Sequence, residues 1–568
     1  MILFVSAKRW YIVLLAVVIT IAYWNPSVAQ SSIDIQVDLS KQKGPLKPIW
    51  NFFGYDEPNY TYMKDGRKLL SELSAMSPVP VYIRVHSLLC TGNGEPALKW
   101  GSTNAYTEDE KGKPVYDWHI IDSIFDTFIQ RGMKPIAEIG FMPEALSTHP
   151  QPYKHEWKPG VDYNKIYTGW AYPPKDYNKW HELVYQWVKH CVQHYGEKEV
   201  NTWWWEVWNE PNIGYWKGTQ EEYFKLYDYA VDAIKKACPH TRVGGPTTTG
   251  PGWDKANDFL KNFLTHCSTG KNFATGKTGS PLEYISFHAK GSPKVEAGHV
   301  RMNMATQFND IYKGFQTVAS FTVYKKLPII IGECDPEGCA ACSMQLSPQN
   351  AYRNGTMYSS YTAASFTRIY DLADETGVNI EGAVSWSFEF ENQRWFDGFR
   401  DLATNGIDKP VLNVFRMFGM MQGNRIAVSN NTSIAVDSLL AKGVHGVQAD
   451  ISAFAAVDKN TAGIMLWNYH DDDLPAATAD IRLQLLSIPA KKIQVHHYRI
   501  DSEHSNSYEL WKKMGSPQEP TDAQYKHLEA AGQLQMIGSP QWINITDGKL
   551  LLPFSLPRQG VSFVRLSW

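Results

Sequence analysis

The chain has 568 residues, enough for two or three domains. Its 55 Lys and Arg and 58 Asp and Glu give a formal net charge of -3, which excludes the strongly basic balance of a nucleic-acid or anionic-membrane binder. Its 21 Trp and 30 Tyr are many; such side chains stack on sugar rings but also fill cores, so they favour a carbohydrate ligand only weakly.

The N-terminus has the pattern of a secretory signal peptide. Lys8 and Arg9 precede the apolar run Trp10–Tyr23, which is too short to span a bilayer comfortably. Small residues follow up to Ala29, at the positions that a signal peptidase reads. We predict that residues 1–29 are removed and that the chain is exported to the periplasm or the cell exterior, with no stable membrane anchor afterwards. A retained membrane anchor is the alternative.

The next stretches predict the architecture. Residues 33–39 alternate apolar and polar side chains, as a half-buried strand does, and we expect residues 30–48 to join a later β-sandwich. From residue 49 to 428 short apolar runs alternate with longer amphipathic segments. The predicted strands are Ile49–Tyr55, Val81–His86, Lys134–Phe141, the Trp-rich stretch from Thr202, Arg242–Pro246, Tyr284–His288, Pro328–Glu333 and Ala383–Phe388. The predicted helices are Arg67–Met76, Trp118–Gln130, Tyr177–Tyr195, Gln220–Ala237, Ala256–Cys267, Ala305–Tyr324, Thr356–Glu375 and Pro410–Met421.

Eight strand–helix units in succession predict a (β/α)8 TIM barrel. An open doubly wound sheet is the alternative, but no glycine-rich phosphate loop follows the first strand. Residues 429–568 instead show short alternating runs, which predict an all-β sandwich domain, interrupted by a polar helical insertion at 501–530.

Cysteine content constrains one loop. The seven Cys are an odd number, so an exported chain keeps at least one thiol free or intermolecular. Cys339 and Cys342 have CxxC spacing, but no second such pair completes a zinc site. We expect them to form a local disulfide or to remain two buried thiols, and to shape the loop after the seventh strand.

The Trp-rich strand carries the first candidate catalytic group. Pro211 cannot donate a ladder hydrogen bond, so the strand should stop there, with Glu210 at its carboxyl end and Trp208 on the same face. Burial among tryptophans would favour the protonated carboxylic acid, which a general acid needs. A lone Glu at a strand end is more often solvated or ion-paired, so a second carboxylate is required for the argument.

Glu333, at the end of the seventh strand, supplies that carboxylate. In a TIM barrel the carboxyl ends of the strands meet at the catalytic face. Two carboxyl groups about 5–5.5 Å apart suit a retaining glycosidase, and about 6.5–9.5 Å an inverting one. We assign Glu333 as nucleophile and Glu210 as acid/base, with Arg84 keeping a carboxylate ionised. Gly332 should permit a close approach of substrate or backbone.

The same strand ends resemble glycoside hydrolase family 39, the β-xylosidase and α-L-iduronidase family within the clan of retaining (β/α)8 glycosidases. The stretches that carry the resemblance are Tyr82–His86, Gly140–Pro143, Glu206–Asn212, Ser286–Gly291 and Ile331–Glu333. The resemblance implies that Glu210 is the acid/base, Glu333 the nucleophile and Asn209 the partner of the sugar 2-hydroxyl. It also implies hydroxyl-binding roles for His86 and His288.

Four further residues complete the predicted substrate site. Trp386 matches the platform under the sugar, and Glu389 is a looser match for a carboxylate that holds distal hydroxyls. Phe141 and Arg84 lie at predicted strand ends. Each of these residues also has a purely structural interpretation. Trp386 could be part of the hydrophobic core, Glu389 could lie in an exposed loop, and each His could form its hydrogen bonds with the backbone.

Lys290 bears on the choice of sugar. It sits where the iduronidase branch places a lysine that pairs with the substrate carboxylate. It could equally form an ordinary buried ion pair with Glu283 or Asp335.

Together these features predict a secreted retaining glycoside hydrolase that acts on an oligo- or polysaccharide, with β-xylosidase-type exo action and no metal or organic cofactor. Arabinosyl-releasing or α-L-iduronidase-like hydrolysis is the alternative. Two other classes are a glycan-binding barrel without activity and a metal-dependent hydrolase that uses His86, His288 and Asp335.

Overall fold

A computed structural model describes residues 32–336 and 339–568. The predicted signal peptide, residues 1–29, lies outside this range. Within the described part of the chain, none of the helices combines the length and the apolar character needed to cross a bilayer.

The central element is a closed barrel of parallel strands. Its strands are Phe52–Tyr55, Tyr82–Val85, Lys134–Ile139, Trp204–Val207, Arg242–Thr248, Tyr284–Lys290, Pro328–Asp335 and a divided eighth strand, Asn379–Ala383 with Ser385–Trp386. The first part of the eighth strand pairs with strand seven, and the second part pairs with strand one, where Ser385 lies opposite Phe53. The sheet therefore closes, which confirms the TIM barrel and excludes the open doubly wound sheet.

Eight helices follow the eight strands: Lys64–Met76, His119–Ile129, Tyr177–Tyr195, Gln220–Ala237, Asp254–Thr269, Met304–Ser320, Thr356–Thr376 and Pro410–Gly419. The spacing of their apolar residues gives each helix one apolar face, and this face packs on the barrel. Tyr177–Tyr195 is typical, because Trp180, Val184 and Trp187 are buried on that face. Asp176 begins this helix by accepting a hydrogen bond from the Asn178 backbone N–H at 2.8 Å.

Strand four ends earlier than predicted. It stops at Val207, because Trp208 and Glu210 have φ angles of 73° and 44° and leave the extended conformation before Pro211 is reached. Trp208 therefore does not share a strand face with Glu210. Its indole donates to the Tyr215 carbonyl at 3.0 Å and packs behind the site.

A ten-stranded sheet forms the C-terminal domain. Its strands are Ile33–Pro45, Asn424–Asn430, Asp450–Val457, Thr461–Tyr469, Ala479–Leu486, Lys492–Ile500, Gln535–Met536, Gln541–Asn544, Leu550–Leu556 and Val561–Ser567. The N-terminal strand pairs with both Asn424–Asn430 and Ala479–Leu486. The sheet folds over its own apolar face, so that Ile464 and Leu483 from distant strands share one hydrophobic cluster.

The two domains meet along the helix Thr356–Thr376, which is buried on nearly all sides. Tyr370 stacks on Phe454 of the sheet with ring centroids 5.2 Å apart. Arg368 donates to Asp450 at 2.9 Å. Three short helices, Val436–Lys442, Ser507–Lys513 and Asp522–Gly532, belong to the sheet domain, and the last two cover the loop after strand eight.

The Arg368–Asp450 pair should carry much of the stability of this contact. Asp450→Ala leaves the buried guanidinium without its main partner and also removes the acceptor of the Trp467 indole, so we expect the free energy of unfolding to fall by about 3 kcal/mol. The matched control is Asp374→Ala, which breaks a half-exposed pair with Arg425 and should cost at most about 1 kcal/mol. Both pairs join the helix to the sheet domain and differ in burial, and urea denaturation compares them; equal losses would show that the buried pair has no special weight.

Candidate active site

One cavity of about 540 Å³ opens at the carboxyl ends of the barrel strands. Four of the predicted site residues line it: Glu210, Lys290, Glu333 and Trp386. Side chains that the sequence did not point to complete its walls, and they include Asp56, Lys99, Trp157, Tyr163, Tyr167, Tyr215 and Leu346. The cavity is where the two predicted catalytic groups meet.

The two carboxylates lie within reach of one small molecule. One oxygen of Glu210, one of Glu333 and a ring nitrogen of His288 all lie within 4.8 Å of one another. His288 Nδ1 shares a hydrogen bond of 2.8 Å with Glu210 and lies 3.7 Å from Glu333. This spacing is close to the separation of about 5–5.5 Å at which one carboxyl attacks an anomeric carbon while the other protonates the leaving group.

Positive groups surround Glu333. Lys290 Nζ lies 2.6 Å from its Oε2, and Arg84 Nη1 and His86 Nε2 each lie 3.3 Å from its Oε1. Burial raises the pKa of the Glu333 carboxyl, but the charges of His288, Lys290 and His86 outweigh it and hold that pKa well below its ordinary value. Glu333 is therefore ionised, as a nucleophile must be.

Arg84 is the centre of the buried network. Its Nε donates to Glu206 at 2.6 Å, and its Nη2 lies 2.9 Å from Glu138. The pKa of this guanidinium is raised: burial lowers it, but the carboxylates of Glu206, Glu138 and Glu333 more than compensate. A single cation thus ties strands two, three, four and seven together under the cavity.

Asn209 is oriented by the same guanidinium. Its Oδ1 accepts from Arg84 Nη2 at 2.8 Å, which fixes the side-chain amide and turns its nitrogen the other way. That buried Nδ2 has no hydrogen-bond partner in the described part of the chain. It can donate to a ligand hydroxyl, as the predicted role requires.

His86 is held as a cation beside Glu333. Its Nδ1 bonds to Glu138 at 2.6 Å, and its ring packs against Trp386 with centroids 4.6 Å apart. Burial lowers the pKa of His86, but the neighbouring Glu138 carboxylate raises it by more, so that the pKa is raised to about 9. His86 thus contacts Glu333 and His288 contacts Glu210, and neither ring lines the cavity.

Lys290 is already neutralised by the protein. Besides Glu333, it pairs with Asp335 at 2.8 Å. Of the two ion-pair partners expected from sequence, Asp335 is the one observed, since Glu283 instead pairs with Lys235 at 2.8 Å. Gly332, next to Glu333, is required for a different reason from the expected one: a Cβ there would lie 2.8 Å from the Ser286 hydroxyl and 3.2 Å from the His288 ring.

Besides Arg84, His86, Asn209 and His288, two more predicted substrate-binding residues do not line the cavity. Phe141 packs behind His86, 5.6 Å between ring centroids, and against Trp170 at 4.5 Å. Glu389 is buried in the loop after strand eight, where it accepts from the Gly406 backbone N–H at 2.5 Å. The chain turns away from the cavity after Trp386, which explains why a residue three positions later does not reach it.

Sequence reasoning missed the carboxylates inside the barrel. Glu138 and Glu206 each stand in a strand whose neighbouring residues are buried and mostly apolar, and an inward-facing charge in such a strand is a usable signal. Asp56 and Lys99 pair at 2.6 Å on the cavity floor. Lys99 comes from an irregular loop, where periodicity gives no signal.

Two groups in the described part of the chain have a spacing that could hold a metal ion. One is Asp122 with His190 and His194 on the outer helices; the other is Glu210, His288 and Glu333 themselves. In the second group, Lys290 and Arg84 already neutralise Glu333, which disfavours a further cation.

Cys339 and Cys342 form the predicted local disulfide, with Cα atoms 5.5 Å apart. Both residues line the cavity. The pair therefore closes a local turn in the loop after strand seven, and this turn forms part of one wall of the site.

Comparison with known proteins agrees with this geometry. The profile described as Glycosyl hydrolases family 39 matches residues 33–543. A β-xylosidase of Geobacillus stearothermophilus is 26% identical over 497 residues, 85% of this chain and 86% of the relative. One of Caldicellulosiruptor saccharolyticus is 28% identical over 516 residues, 88% and 92% of the two chains. A crystal structure titled as a monomeric β-xylosidase from Caulobacter crescentus has a TM-score of 0.72 at 23% identity, over 94% of this chain and 99% of that one, and so shares the fold.

The raised pKa of His86 gives a pH prediction. Below about pH 6.5 the ring is protonated in the folded and the unfolded chain, so its full contribution to stability is present; this contribution is lost as the pH rises through about 9. Between pH 6.5 and 9 the free energy of unfolding of the native chain should therefore fall by about 3 kcal/mol more than that of His86→Gln, because the Gln side chain has no proton to lose. Urea denaturation at several pH values measures the difference, and parallel curves would contradict the assignment.

Proposed function

This chain belongs to glycosyl hydrolases family 39 and is a glycoside hydrolase, and we propose that it removes terminal β-xylosyl residues with net retention of configuration. The observation that carries the proposal is the approach of Glu210 and Glu333 to within 4.8 Å in one cavity. Two relatives named β-xylosidase, each matched over most of its length, support the sugar.

The first half of the reaction builds a covalent intermediate. The ionised Glu333 carboxylate attacks the anomeric carbon while the bond to the leaving oxygen breaks, and protonated Glu210 gives its proton to that oxygen. Asn209 Nδ2 donates to the hydroxyl next to the reacting carbon, where a hydrogen bond strengthens in the transition state. The product of this step is a glycosyl ester on Glu333 and a free alcohol.

The second half restores the enzyme. Glu210, now a carboxylate, takes a proton from water, and the oxygen of that water adds to the anomeric carbon on the face from which the alcohol left. The ester bond to Glu333 breaks, and its carboxylate returns to Lys290, Arg84 and His86. Each half of the reaction inverts the configuration of the anomeric carbon, so the two halves together give net retention.

The charges of the cavity favour a neutral sugar. Lys290 is balanced by Glu333 and Asp335, and Lys99 is balanced by Asp56. A uronic acid would have to displace one of these carboxylates from its cation, at a cost in charge repulsion. Relatives named α-L-iduronidase, among them one of Mus musculus that is 22% identical over 533 residues, make a uronic acid the competing substrate.

We extend the proposal to export of the mature chain. The pattern of residues 1–29 and the Cys339–Cys342 disulfide both support an oxidising compartment. The N-terminal sequence of the protein recovered from the periplasm or medium should begin at Gln30. Recovery of a chain that begins at Met1 from the cytoplasm alone would contradict this.

Substitution of the two Glu should separate their roles. Glu333→Gln removes the nucleophile, so kcat/KM should fall at least about 10⁴-fold on every β-xyloside. Glu210→Gln removes only the proton donor, so kcat/KM should fall about 10²–10⁴-fold on alkyl xylosides and far less on dinitrophenyl xyloside, whose leaving group needs no proton. Steady-state kinetics on both substrate types provides the measurement.

The control for both variants is Glu283→Gln, because Glu283 pairs with Lys235 outside the cavity. It should leave kcat/KM unchanged. If Glu210→Gln lost the same factor on both leaving groups, the acid/base assignment would be wrong.

A further inference from the structure

The second and third helices of the barrel carry an aspartate pair and a histidine pair that face each other. Asp122 and Asp126 lie one turn apart on the second helix, and His190 and His194 lie one turn apart on the third. Residues four positions apart share one face of a helix. Asp122 Oδ1 lies 2.8 Å from His190 Nε2, and Asp126 Oδ1 lies 3.4 Å from His194 Nε2. The two contacts therefore form two successive rungs between the helices.

The spacing of these side chains suits a tetrahedral metal ion. One oxygen of Asp122 and one ring nitrogen each of His190 and His194 lie within 4.8 Å of one another. A tetrahedral Zn²⁺ site with bonds of about 2.0–2.1 Å places its ligand atoms about 3.4 Å apart, so small side-chain rotations would close the group on an ion. Asp126, beside His194, supplies the fourth ligand. Two carboxylates and two neutral imidazoles balance the charge of one divalent ion.

Neighbouring side chains hold the group in place and leave it open to solvent. Trp118 stacks on the His190 ring with centroids 5.5 Å apart, and the Tyr195 hydroxyl donates to Asp126 at 3.0 Å. Contacts of this kind orient metal ligands. Within the part of the chain that the structure describes, neither aspartate forms an ion pair with Lys or Arg. The His194 side chain is 41% exposed, so an ion can enter from solvent.

We propose that Asp122, Asp126, His190 and His194 bind one Zn²⁺ ion that links the second and third helices of the barrel. Imidazole nitrogen is a preferred ligand of Zn²⁺, whereas Mg²⁺ and Ca²⁺ prefer oxygen ligands, so the two His select against these ions. Asp122 and His190 stand 68 positions apart in the sequence, and an ion that joins them stabilises the folded barrel. The ion takes no part in glycoside cleavage, and the site does not depend on which sugar the chain acts on.

Isothermal titration calorimetry tests the site. Zn²⁺ is titrated into the full chain, which is purified without a histidine tag, treated with EDTA and dialysed. We expect one Zn²⁺ ion per chain and no heat of binding for Mg²⁺ at the same concentrations. His190→Asn and His194→Asn should each weaken Zn²⁺ binding at least about tenfold, since each removes a ligand. His194 is exposed, so its replacement should leave folding intact.

The control is His181→Asn on the third helix. His181 also contacts an aspartate, Asp232 at 2.8 Å, but that carboxylate is already paired with Lys236 at 2.6 Å. This variant should keep the Zn²⁺ affinity of the parent. Thermal unfolding gives a second readout. At a free Zn²⁺ concentration one hundred times the Kd, the Tm of the parent should rise by about 2 °C, and that of His194→Asn by about half as much or less.

Three outcomes would overturn the proposal. The first is an absence of Zn²⁺ binding. The second is binding that both His variants leave unchanged, which would place the ion elsewhere, for example at Glu210, His288 and Glu333. Binding there would inhibit glycoside cleavage, whereas an ion between the outer helices leaves the rate unchanged. The third is Zn²⁺ binding without any rise in Tm, which would contradict a link between the two helices.

Discussion

The buried guanidinium of Arg84 is the constraint on which the site depends. Three carboxylates, Glu138, Glu206 and Glu333, converge inside a barrel that excludes water, and without a cation their mutual repulsion and desolvation would be prohibitive. Arg84 can serve all three because its planar fork carries five donors. The Nη2 group of Arg84 also donates to Asn209 Oδ1, which fixes the orientation of the Asn209 side chain. The guanidinium therefore makes the strand ends both compatible with folding and correctly oriented for chemistry.

The two carboxyls that we propose as catalytic, Glu210 and Glu333, have opposite environments. Glu333 is buried among Lys290, Arg84 and His86, which stabilise its negative charge. Glu210 stands closer to solvent, and its one ion-pair contact among the described residues is with the His288 ring. Pairs of titratable groups in contrasting surroundings are how one site performs nucleophilic attack and proton donation at the same pH. The proposed division of roles thus follows from which strand end faces the cations.

Much of this could be predicted from sequence, because the relevant signals are periodic. Alternating strands and amphipathic helices predicted the closed barrel, and strand ends predicted the meeting of Glu210 and Glu333. What failed depends on non-periodic backbone: Val207 ends strand four because positive φ angles follow it, and the chain turns after Trp386 and carries Glu389 away. The Lys99–Asp56 pair joins a loop to a strand end, a contact that no local pattern encodes.

The most direct test of the account is the configuration of the first-formed sugar. Proton NMR during hydrolysis of an aryl β-xyloside resolves the two anomers of the product before they interconvert. With the carboxyl oxygens of Glu210 and Glu333 within 4.8 Å, the account predicts that β-xylose appears first and α-xylose only later, through mutarotation. Initial release of α-xylose would contradict it, because it would mean that water, and not Glu333, attacks the anomeric carbon.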